Sequence, residues 1–272
     1  MFGRKENLVV GLVTFDCDTL RIAVGGLGRL RSRFTLIIYN GNPAVRLRRT
    51  DVRKMGYRGR VYIVNDAGGI DVFGGVSAIV TLARTVVRNA RWLVCIRDTD
   101  ILLDVAVPHV SSDTFAVIQN MVVIRHRIAD VLRVIHCPTD YIIDDENTTL
   151  SRPHMGFFGS LVRIDTITGL CNVIGTISDK IRVLDEDLEY WPPYDAILWT
   201  MLNTYARSVN PDAVPIYMDR AGHISIMVDT ANTKYGRSAL PARATSEHYA
   251  RAVARFDAAL RAVLAAPAGQ NI

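Results

Sequence analysis

The first part of the chain alternates between runs that favour buried strands and runs that favour helices. Short stretches at positions 8–15, 34–39, 61–64 and 92–96 are almost continuously apolar and rich in β-branched residues. Between them lie stretches with apolar residues at helical spacing, at positions 19–33, 46–55 and 74–89. Strands that are apolar on both faces are typical of parallel sheets covered by helices on each side. We therefore predict a Rossmann-like α/β fold with a mainly parallel central sheet flanked by helices.

Beyond position 100 the pattern is less regular. The segments 115–124 and 131–135 fit either strands or short helices, and the acidic stretches 140–151 and 179–189 indicate polar loops. The sequence predicts a strand at 155–164, a helix at 195–207, strands at 215–218 and 223–228, and a terminal helix at 246–264. We expect this part to form a smaller region beside the parallel sheet.

Composition and charge limit the function classes. The chain has 272 residues, of which 49% are hydrophobic, so it is long enough for one packed domain. Its apolar runs are shorter than the roughly 20 residues of a membrane-spanning helix, and its first residues lack a signal-peptide pattern. The cysteines Cys17, Cys95, Cys137 and Cys171 form no C-x-x-C pair. We expect reduced, buried thiols and a cytoplasmic protein.

The formal net charge is +5, but the positive charges are concentrated between Arg21 and Arg60, where Asp51 is the sole acidic residue. The basic residues of that block are Arg21, Arg29, Arg31, Arg33, Arg46, Arg48, Arg49, Arg53, Lys54, Arg58 and Arg60. Such a block favours an anionic partner: a diphosphate, a nucleic acid or an acidic membrane surface. The alternative is a solvated basic face that serves solubility.

Two aspartates follow the fourth predicted strand, in the segment Arg97-Asp98-Thr99-Asp100. Ligands of parallel α/β sheets bind beyond the carboxyl ends of the strands. A D-x-D pair at that edge can share Mg²⁺ or Mn²⁺, hard cations that prefer oxygen ligands and substrate phosphates. The alternative is a polar strand end with both carboxylates solvated.

The order of these segments resembles the nucleotide-binding half of GT-A-fold glycosyltransferases, particularly the inverting, family-2-like group, over residues 7–230. The resemblance implies that Thr14, Phe15 and Asp16 contact the donor nucleoside. It also implies that Asn40 stands where the family carries a base-reading aspartate. The D-x-D pair maps onto Asp98, at the donor and the metal, and Asp100, at the metal.

The resemblance extends to the acceptor side. The segment Met155-Gly156-Phe157-Phe158-Gly159 is similar to the family's glycine-containing acceptor strand. An acidic residue near the start of the next helix then implies the catalytic base, for which Asp195 matches the placement and Asp187 matches a Glu-Asp pair. We favour Asp195; the alternatives are a carboxylate favoured by the helix dipole and, for Asp187, a solvated loop. His223 is implied as a further metal ligand, or has a structural role.

These features predict one GT-A-like domain over residues 1–272. Its parts are a nucleotide-binding half at 1–104, an acceptor-binding half at 105–235 and a C-terminal helical segment at 236–272. The resemblance implies a glycosyltransferase that uses Mn²⁺ or Mg²⁺ and a nucleotide diphosphate sugar, with the inverting stereochemistry of the family-2-like group. The acceptor is a saccharide, a lipid-linked sugar reached by peripheral membrane contact, or a nucleic acid with a modified base.

Two other function classes stay open. A nucleotidyltransferase that makes sugar nucleotides would use a similar sheet, but it usually carries a basic, glycine-rich loop after the first strand. Here that position is acidic, at Asp16 and Asp18. The other class is a binding module that keeps the fold and has no activity.

Overall fold

The computed structural model describes residues 7–15, 17–30, 32–66, 72–103, 105, 107–126, 148–151, 156–186, 194–228 and 246–266. The strands are β1 (Asn7–Thr14), β2 (Thr35–Asn40), β3 (Arg60–Asn65), β4 (Ala90–Arg97), β5 (Asp100–Leu102), β6 (Thr114–His126), β7 (Thr148–Ser151), β8 (Leu161–Arg163) and β9 (Val214–Val228). The helices are α1 (Cys17–Leu27), α2 (Arg49–Lys54), α3 (Val72–Val86), α4 (Ile164–Thr176), α5 (Ser178–Glu186), α6 (Tyr194–Val209) and α7 (Ser246–Leu264).

The strands form one mixed, mostly parallel sheet in the order β3-β2-β1-β4-β8-β6-β9-β5, with β7 paired to β6. Its first four strands are mutually parallel, as predicted. The strand β8 runs antiparallel to both β4 and β6, whereas β6 and β9 form a long parallel pair. The predicted α/β class with a mainly parallel central sheet is therefore confirmed, and each antiparallel pair includes at least one strand of the second half.

Both faces of the parallel strands are buried because successive side chains point to opposite sides. On one face, Val9 and Val13 of β1 join the core under α3, α4, α6 and α7. On the other face, Val10 and Leu12 join the core under α1 and α2. Each fully buried aliphatic side chain of this kind contributes roughly 1.5–3 kcal/mol. Burial on both faces explains why these strands are continuously apolar instead of alternating.

Gly11 allows the helix α3 to approach β1 closely. A Cβ atom at this position would lie 2.8 Å from Cγ2 of Ile79 and 3.0 Å from Sγ of Cys95. Any larger residue would have to push α3 away from the sheet. This close packing holds β1, the central parallel strand, in its place between β2 and β4.

The second half differs from the sequence prediction in several places. In the described part of the predicted strand 155–164, residues 156–160 form a turn, β8 covers Leu161–Arg163, and Ile164 already begins α4. The predicted loop 179–189 is wrong over its first part, which is the helix α5. The two predicted strands at 215–218 and 223–228 are one strand, β9, with an irregular register against β6.

Other predictions in this half are settled by the described residues. The segment 115–124 is a strand, β6, and the terminal helix has the predicted bounds. The predicted loop 140–151 ends in a strand, β7, while its earlier residues and the segment 131–135 lie outside the described residues. The predicted helix 195–207 is confirmed as α6, which extends over Tyr194–Val209.

The cysteine prediction is confirmed for Cys95 and Cys171, which are free and buried. Burial raises the pKa of the Cys171 thiol to about 12 and raises that of Cys95 further. Cys17 begins α1, and Cys137 lies outside the described residues. Within the described parts of the chain, no helix combines the length and the apolar character that crossing a membrane requires.

Candidate functional site

The carboxyl ends of β2, β1 and β4 lie side by side at one edge of the sheet. Thr14, the last residue of β1, is in register with Asn40 of β2, and Val13 is in register with Arg97 of β4. The residues after these positions therefore meet at this edge. Ligands of open α/β sheets bind at such an edge.

Asp98 joins the ends of β1 and β4. Its Oδ2 accepts a hydrogen bond from the hydroxyl of Thr14 at 2.9 Å and another from the backbone N–H of Phe15 at 3.3 Å. Its own backbone N–H donates to the carbonyl of Val13 at 3.2 Å. Thr14 is fully buried, whereas Asp98 and Phe15 are half-buried and reach the rim of the sheet.

Asp100 is held by Arg97 across the turn that follows β4. Its carboxylate is fully buried. Its Oδ2 accepts the backbone N–H of Arg97 at 2.9 Å and the Nε–H at 3.2 Å, and its Oδ1 accepts from Nη2 at 3.1 Å. The side chain of Arg97 is 37% exposed. A buried carboxylate thus fixes a guanidinium whose outer part faces solvent.

The predicted sharing of one metal ion by Asp98 and Asp100 does not fit this arrangement. Both oxygens of Asp100 already bind a guanidinium, and no part of the side chain is exposed. Among the described residues, no three His, Cys, Asp or Glu side chains are grouped so that they could hold a metal ion. Of the two aspartates, Asp98 offers its carboxylate at the rim, which suits Mg²⁺ or Mn²⁺ arriving with substrate phosphates.

Asp195 reaches the same site from the second half of the chain. It lies in the first turn of α6, and its Oδ1 accepts the backbone N–H of Phe158 at 2.8 Å. The ring of Phe158 carries the guanidinium of Arg97, whose Cζ lies 5.6 Å from the ring centroid. One residue of the 156–160 segment therefore contacts both the candidate base and the arginine.

The 156–160 segment is fixed against β4. Gly159 has a φ angle of 81°, a conformation that glycine adopts without strain. In this conformation its N–H donates to the carbonyl of Cys95 at 2.7 Å. The hydroxyl of Ser160 donates to the carbonyl of Gly156 at 2.7 Å and closes the turn. Phe158 is thereby held rigidly beneath the arginine.

The charges of the site act mainly on Arg97. Burial alone would lower the pKa of its guanidinium, but the attraction of Asp100, followed by those of Asp195 and Asp98, raises the pKa overall. The three carboxylates outnumber the guanidinium of Arg97, so these four groups together carry a negative formal charge. This excess of negative charge favours a cation that arrives together with an anionic substrate.

Asn40, predicted to contact the donor base, is fully buried and used by the protein itself. Its Nδ2 donates to the carbonyl of Val45 at 2.6 Å and to Oδ1 of Asn65 at 2.9 Å. Its Oδ1 accepts the N–H of Asn42 at 3.2 Å. Through these hydrogen bonds, the side chain of Asn40 joins the loop that follows β2 to the end of β3.

The other predicted residues are placed less completely. The backbone of His223 lies in β9 opposite Leu102 of β5, the strand that directly follows the Asp98–Asp100 turn. This brings β9 close to the site and leaves the role of the histidine a prediction. Asp16 and Asp187 lie outside the described residues, so their roles also stay predictions.

Sequence reasoning missed Arg97 and Phe158. The pair Arg97 and Asp100 has a visible signal, since opposite charges three positions apart across a turn can meet. Phe158 has no such signal, because its contacts with Asp195 and Arg97 are formed between distant parts of the chain.

No protein-family model and no curated protein sequence matches this chain. Among solved structures, it is similar to a 4-diphosphocytidyl-2C-methyl-D-erythritolsynthase from Anaerococcus prevotii, with 9% identity, a TM-score of 0.37 and coverage of 94% of this chain and 97% of that one. It is also similar to the apo-form glycosyltransferase GlyE of Streptococcus pneumoniae, with 10% identity, a TM-score of 0.34 and coverage of 79% of this chain and 45% of that one. These similarities concern the path of the chain and assign no role to any residue.

Proposed function

We propose that this protein is a glycosyltransferase that transfers a sugar from a nucleotide diphosphate donor to an acceptor hydroxyl with inversion at the anomeric carbon. The observation that carries the proposal is the position of Asp98 and Arg97 at the carboxyl edge of the parallel strands, with Asp195 linked to Arg97 through Phe158. A half-buried carboxylate, a guanidinium and a second carboxylate at a helix start suit an anionic leaving group and a hydroxyl nucleophile.

In the proposed reaction, Asp195 accepts the proton of the acceptor hydroxyl while the hydroxyl oxygen attacks the anomeric carbon of the sugar. The bond between that carbon and the diphosphate oxygen breaks, and the diphosphate leaves with the electron pair. The partly exposed guanidinium of Arg97 would stabilise this negative charge. Asp100 acts through Arg97, as a positioning residue.

The donor end of the site is proposed to contain Thr14, Phe15 and Asp98. Thr14 and Phe15 hold the Asp98 carboxylate in place by the two hydrogen bonds that they donate to its Oδ2. Asp98 would hold Mn²⁺ or Mg²⁺ together with the oxygens of the diphosphate. A bound divalent ion would neutralise charge on the departing diphosphate. His223 is kept as a proposed additional ligand and Asp187 as the alternative base.

The test measures the release of nucleoside diphosphate from a panel of nucleotide sugars with different bases. Each donor is assayed with Mn²⁺, with Mg²⁺ and with EDTA. We expect turnover of at least one donor and loss of turnover in Asp195→Asn. Turnover that is unchanged in EDTA would remove the metal from the proposal. A folded protein that neither binds nor turns over any donor would overturn the proposal as a whole.

A second assay on the same protein preparation distinguishes a nucleotidyltransferase from a glycosyltransferase. Incubation with nucleoside triphosphates and sugar phosphates releases pyrophosphate only in that alternative. Glycosyl transfer instead releases a nucleoside diphosphate. Identification of the released phosphate compound therefore assigns the reaction class directly.

A further inference from the structure

The helix α2, the turn after it and the strand β3 carry an exposed basic surface, here called the α2–β3 surface. Its exposed cationic side chains are Arg46, Arg48, Arg49, Arg53, Lys54, Arg58 and Arg60. The acidic residue within this stretch is Asp51, which is half-buried and accepts the backbone N–H of Arg48 at 2.9 Å. The Asp51 carboxylate thus binds the backbone at the start of α2. The surface as a whole is strongly positive.

Tyr62 orders two of the arginines. The Cζ of Arg49 lies 5.6 Å from the centroid of the Tyr62 ring, and that of Arg60 lies 5.2 Å from it. The Nε–H of Arg60 also donates to the tyrosine hydroxyl at 2.8 Å. Two guanidiniums on one ring repel each other, so a polyanion that neutralises both would be favoured.

The surface lies at the end of the sheet. β3 is the last strand in the sheet order, and none of the described strands pairs with its outer side. Its six residues span about 20 Å at 3.3 Å per residue. A duplex carries one phosphate charge per about 1.7 Å of its axis, so a strand of this length can face several phosphates.

The surface continues towards the amino ends of β2 and β3. The ring of Phe34 stacks on that of Tyr57 with centroids 5.6 Å apart, so the segment that carries the exposed Arg33 packs against the segment that carries the exposed Arg58. The candidate functional site is at the opposite, carboxyl edge of the same strands. Arg58 and Arg60 thus lie away from that site, whereas Arg46 and Arg48 flank Leu47, whose N–H donates to Asn65 at the carboxyl end of β3.

The charges are too many to serve only as protection of an edge strand. Charged residues on an edge strand prevent pairing with other chains. That explains Arg60, which lies on β3, and its neighbour Arg58. It does not explain the cations of α2, such as Arg53 and Lys54, which lie on a helix beside the strand.

We infer that the α2–β3 surface binds nucleic acid through its phosphate backbone, without reading the sequence. Arginine forks bind phosphate oxygens in pairs, and arginine outnumbers lysine here by six to one. An acidic membrane fits less well, because interfacial binding also requires exposed apolar side chains. Within residues 46–60 no large apolar side chain is exposed; Val45 at the border is 39% exposed.

The test compares two variants in which the same charges are removed from the α2–β3 surface and from helices elsewhere in the molecule. The surface variant carries Arg53→Gln, Lys54→Gln, Arg58→Gln and Arg60→Gln. The control variant carries Arg84→Gln, Lys180→Gln, Arg207→Gln and Arg251→Gln, all exposed residues of α3, α5, α6 and α7. Binding of a dye-labelled 30-base-pair DNA duplex is measured by fluorescence anisotropy between 50 and 200 mM salt.

We expect the unaltered protein to bind the duplex with an affinity that falls steeply with salt. The surface variant should bind at least about tenfold more weakly at 100 mM salt, with a salt slope lower by about 3.6, since each lost phosphate contact removes about 0.9. The control should change affinity less than about threefold. Equal losses in both variants, or no binding by the unaltered protein, would overturn the inference.

Two further measurements keep the result interpretable. Vesicles that contain phosphatidylserine replace the duplex in a parallel series, and binding to vesicles alone would overturn the nucleic-acid assignment. The turnover of nucleotide sugars is measured in the same three proteins. The substituted residues lie between the last turn of α2 and the first residue of β3, whereas the candidate site is at the carboxyl ends of the strands. The inference can therefore fail while turnover persists, and turnover can fail while duplex binding persists.

Discussion

The carboxyl ends of β2 and β4 lie on either side of β1, yet they are built in opposite ways. At the end of β2, the neutral side chain of Asn40 is fully buried, and its hydrogen bonds join the loops of the protein itself. At the end of β4, Asp98 and Arg97 are charged and partly exposed. Buried amides with satisfied hydrogen bonds stabilise the fold, whereas charges at a rim are available to a substrate. The comparison predicts that substitutions at the end of β2 lower the stability of the protein, whereas substitutions at the end of β4 lower its activity.

The largest expected effect is on activity, at the charged end. Asp195→Asn should lower kcat by about 10²–10⁴-fold, because an amide cannot accept the proton of the acceptor. The fold should persist, since the amide oxygen of asparagine can still accept the N–H of Phe158. Initial rates with saturating donor, together with the melting temperature, measure both quantities.

Asp179→Asn is the matched control, since Asp179 also lies in the first turn of a helix and is exposed. We expect its kcat to stay within about twofold of the original. If Asp195→Asn has no larger effect than this control, Asp195 is not the base, and Asp187 becomes the candidate to change next.

The next effect is on stability, at the neutral end. Asn40→Ala removes hydrogen bonds to Val45, Asn65 and Asn42 from a fully buried position. Partners left without a hydrogen bond cost about 1–3 kcal/mol each when buried, so we expect the free energy of unfolding to fall by about 2–4 kcal/mol. Chemical denaturation measures this value.

Asn42→Ala is the control for this change. The side chain of Asn42 is half-buried and accepts one hydrogen bond, from the N–H of Ala44 at 2.9 Å. Its removal should cost less than about 1 kcal/mol. Equal losses in Asn40→Ala and Asn42→Ala would show that the β2 end is not the structural tie proposed here.

The sequence could predict the first half of the fold because each of its strands is buried on both faces. Such strands appear as continuous β-branched runs, which the residues 8–15 and 34–39 show clearly. The difference between Asn40 and Asp98 was not predictable in the same way. Both follow a buried strand in the sequence, and only the loops that fold over Asn40 make it internal.

The second half was harder because its signals overlap. The run Leu161-Val162-Arg163-Ile164 favours a strand, yet Ile164 is also the first of the apolar residues spaced three or four apart that α4 buries. Counting Ile164, Ile167, Cys171 and Ile174 at helical spacing would have found that helix. The meeting of Asp195 with Arg97 depends on packing between residues nearly a hundred positions apart, and no local pattern reports it.

A third prediction concerns the ion pair between Asp100 and Arg97. Asp100→Asn keeps the size of the side chain but removes the charge opposite Arg97. We expect a stability loss of about 1–2 kcal/mol, smaller than for a fully buried ion pair because Arg97 is 37% exposed. Donor affinity should also fall by about tenfold, since the guanidinium is no longer held in one orientation.

A double-mutant cycle with Arg97→Gln separates the two roles of Asp100. If Asp100 acts through Arg97, its substitution should change donor affinity little once Arg97 is already glutamine. A full additional loss of affinity in the double variant would mean that Asp100 contacts the donor or its metal directly. That outcome would restore the D-x-D arrangement expected from the sequence.

The smallest expected effect comes from Thr14, which links the two ends through β1. Thr14→Val keeps the shape of the buried side chain but removes the hydroxyl that donates to Asp98 at 2.9 Å. One hydrogen bond to a charged group is lost, while the N–H of Phe15 still donates to the same oxygen. We therefore expect a stability loss of about 1 kcal/mol and a rise of a few-fold in the donor KM, with kcat nearly unchanged. Asp98 is proposed to bind the donor, and Asp195 is proposed to act in the chemical step. A fall in kcat without a change in KM would therefore place Asp98 in the chemical step. The two carboxylates would then no longer differ in their roles.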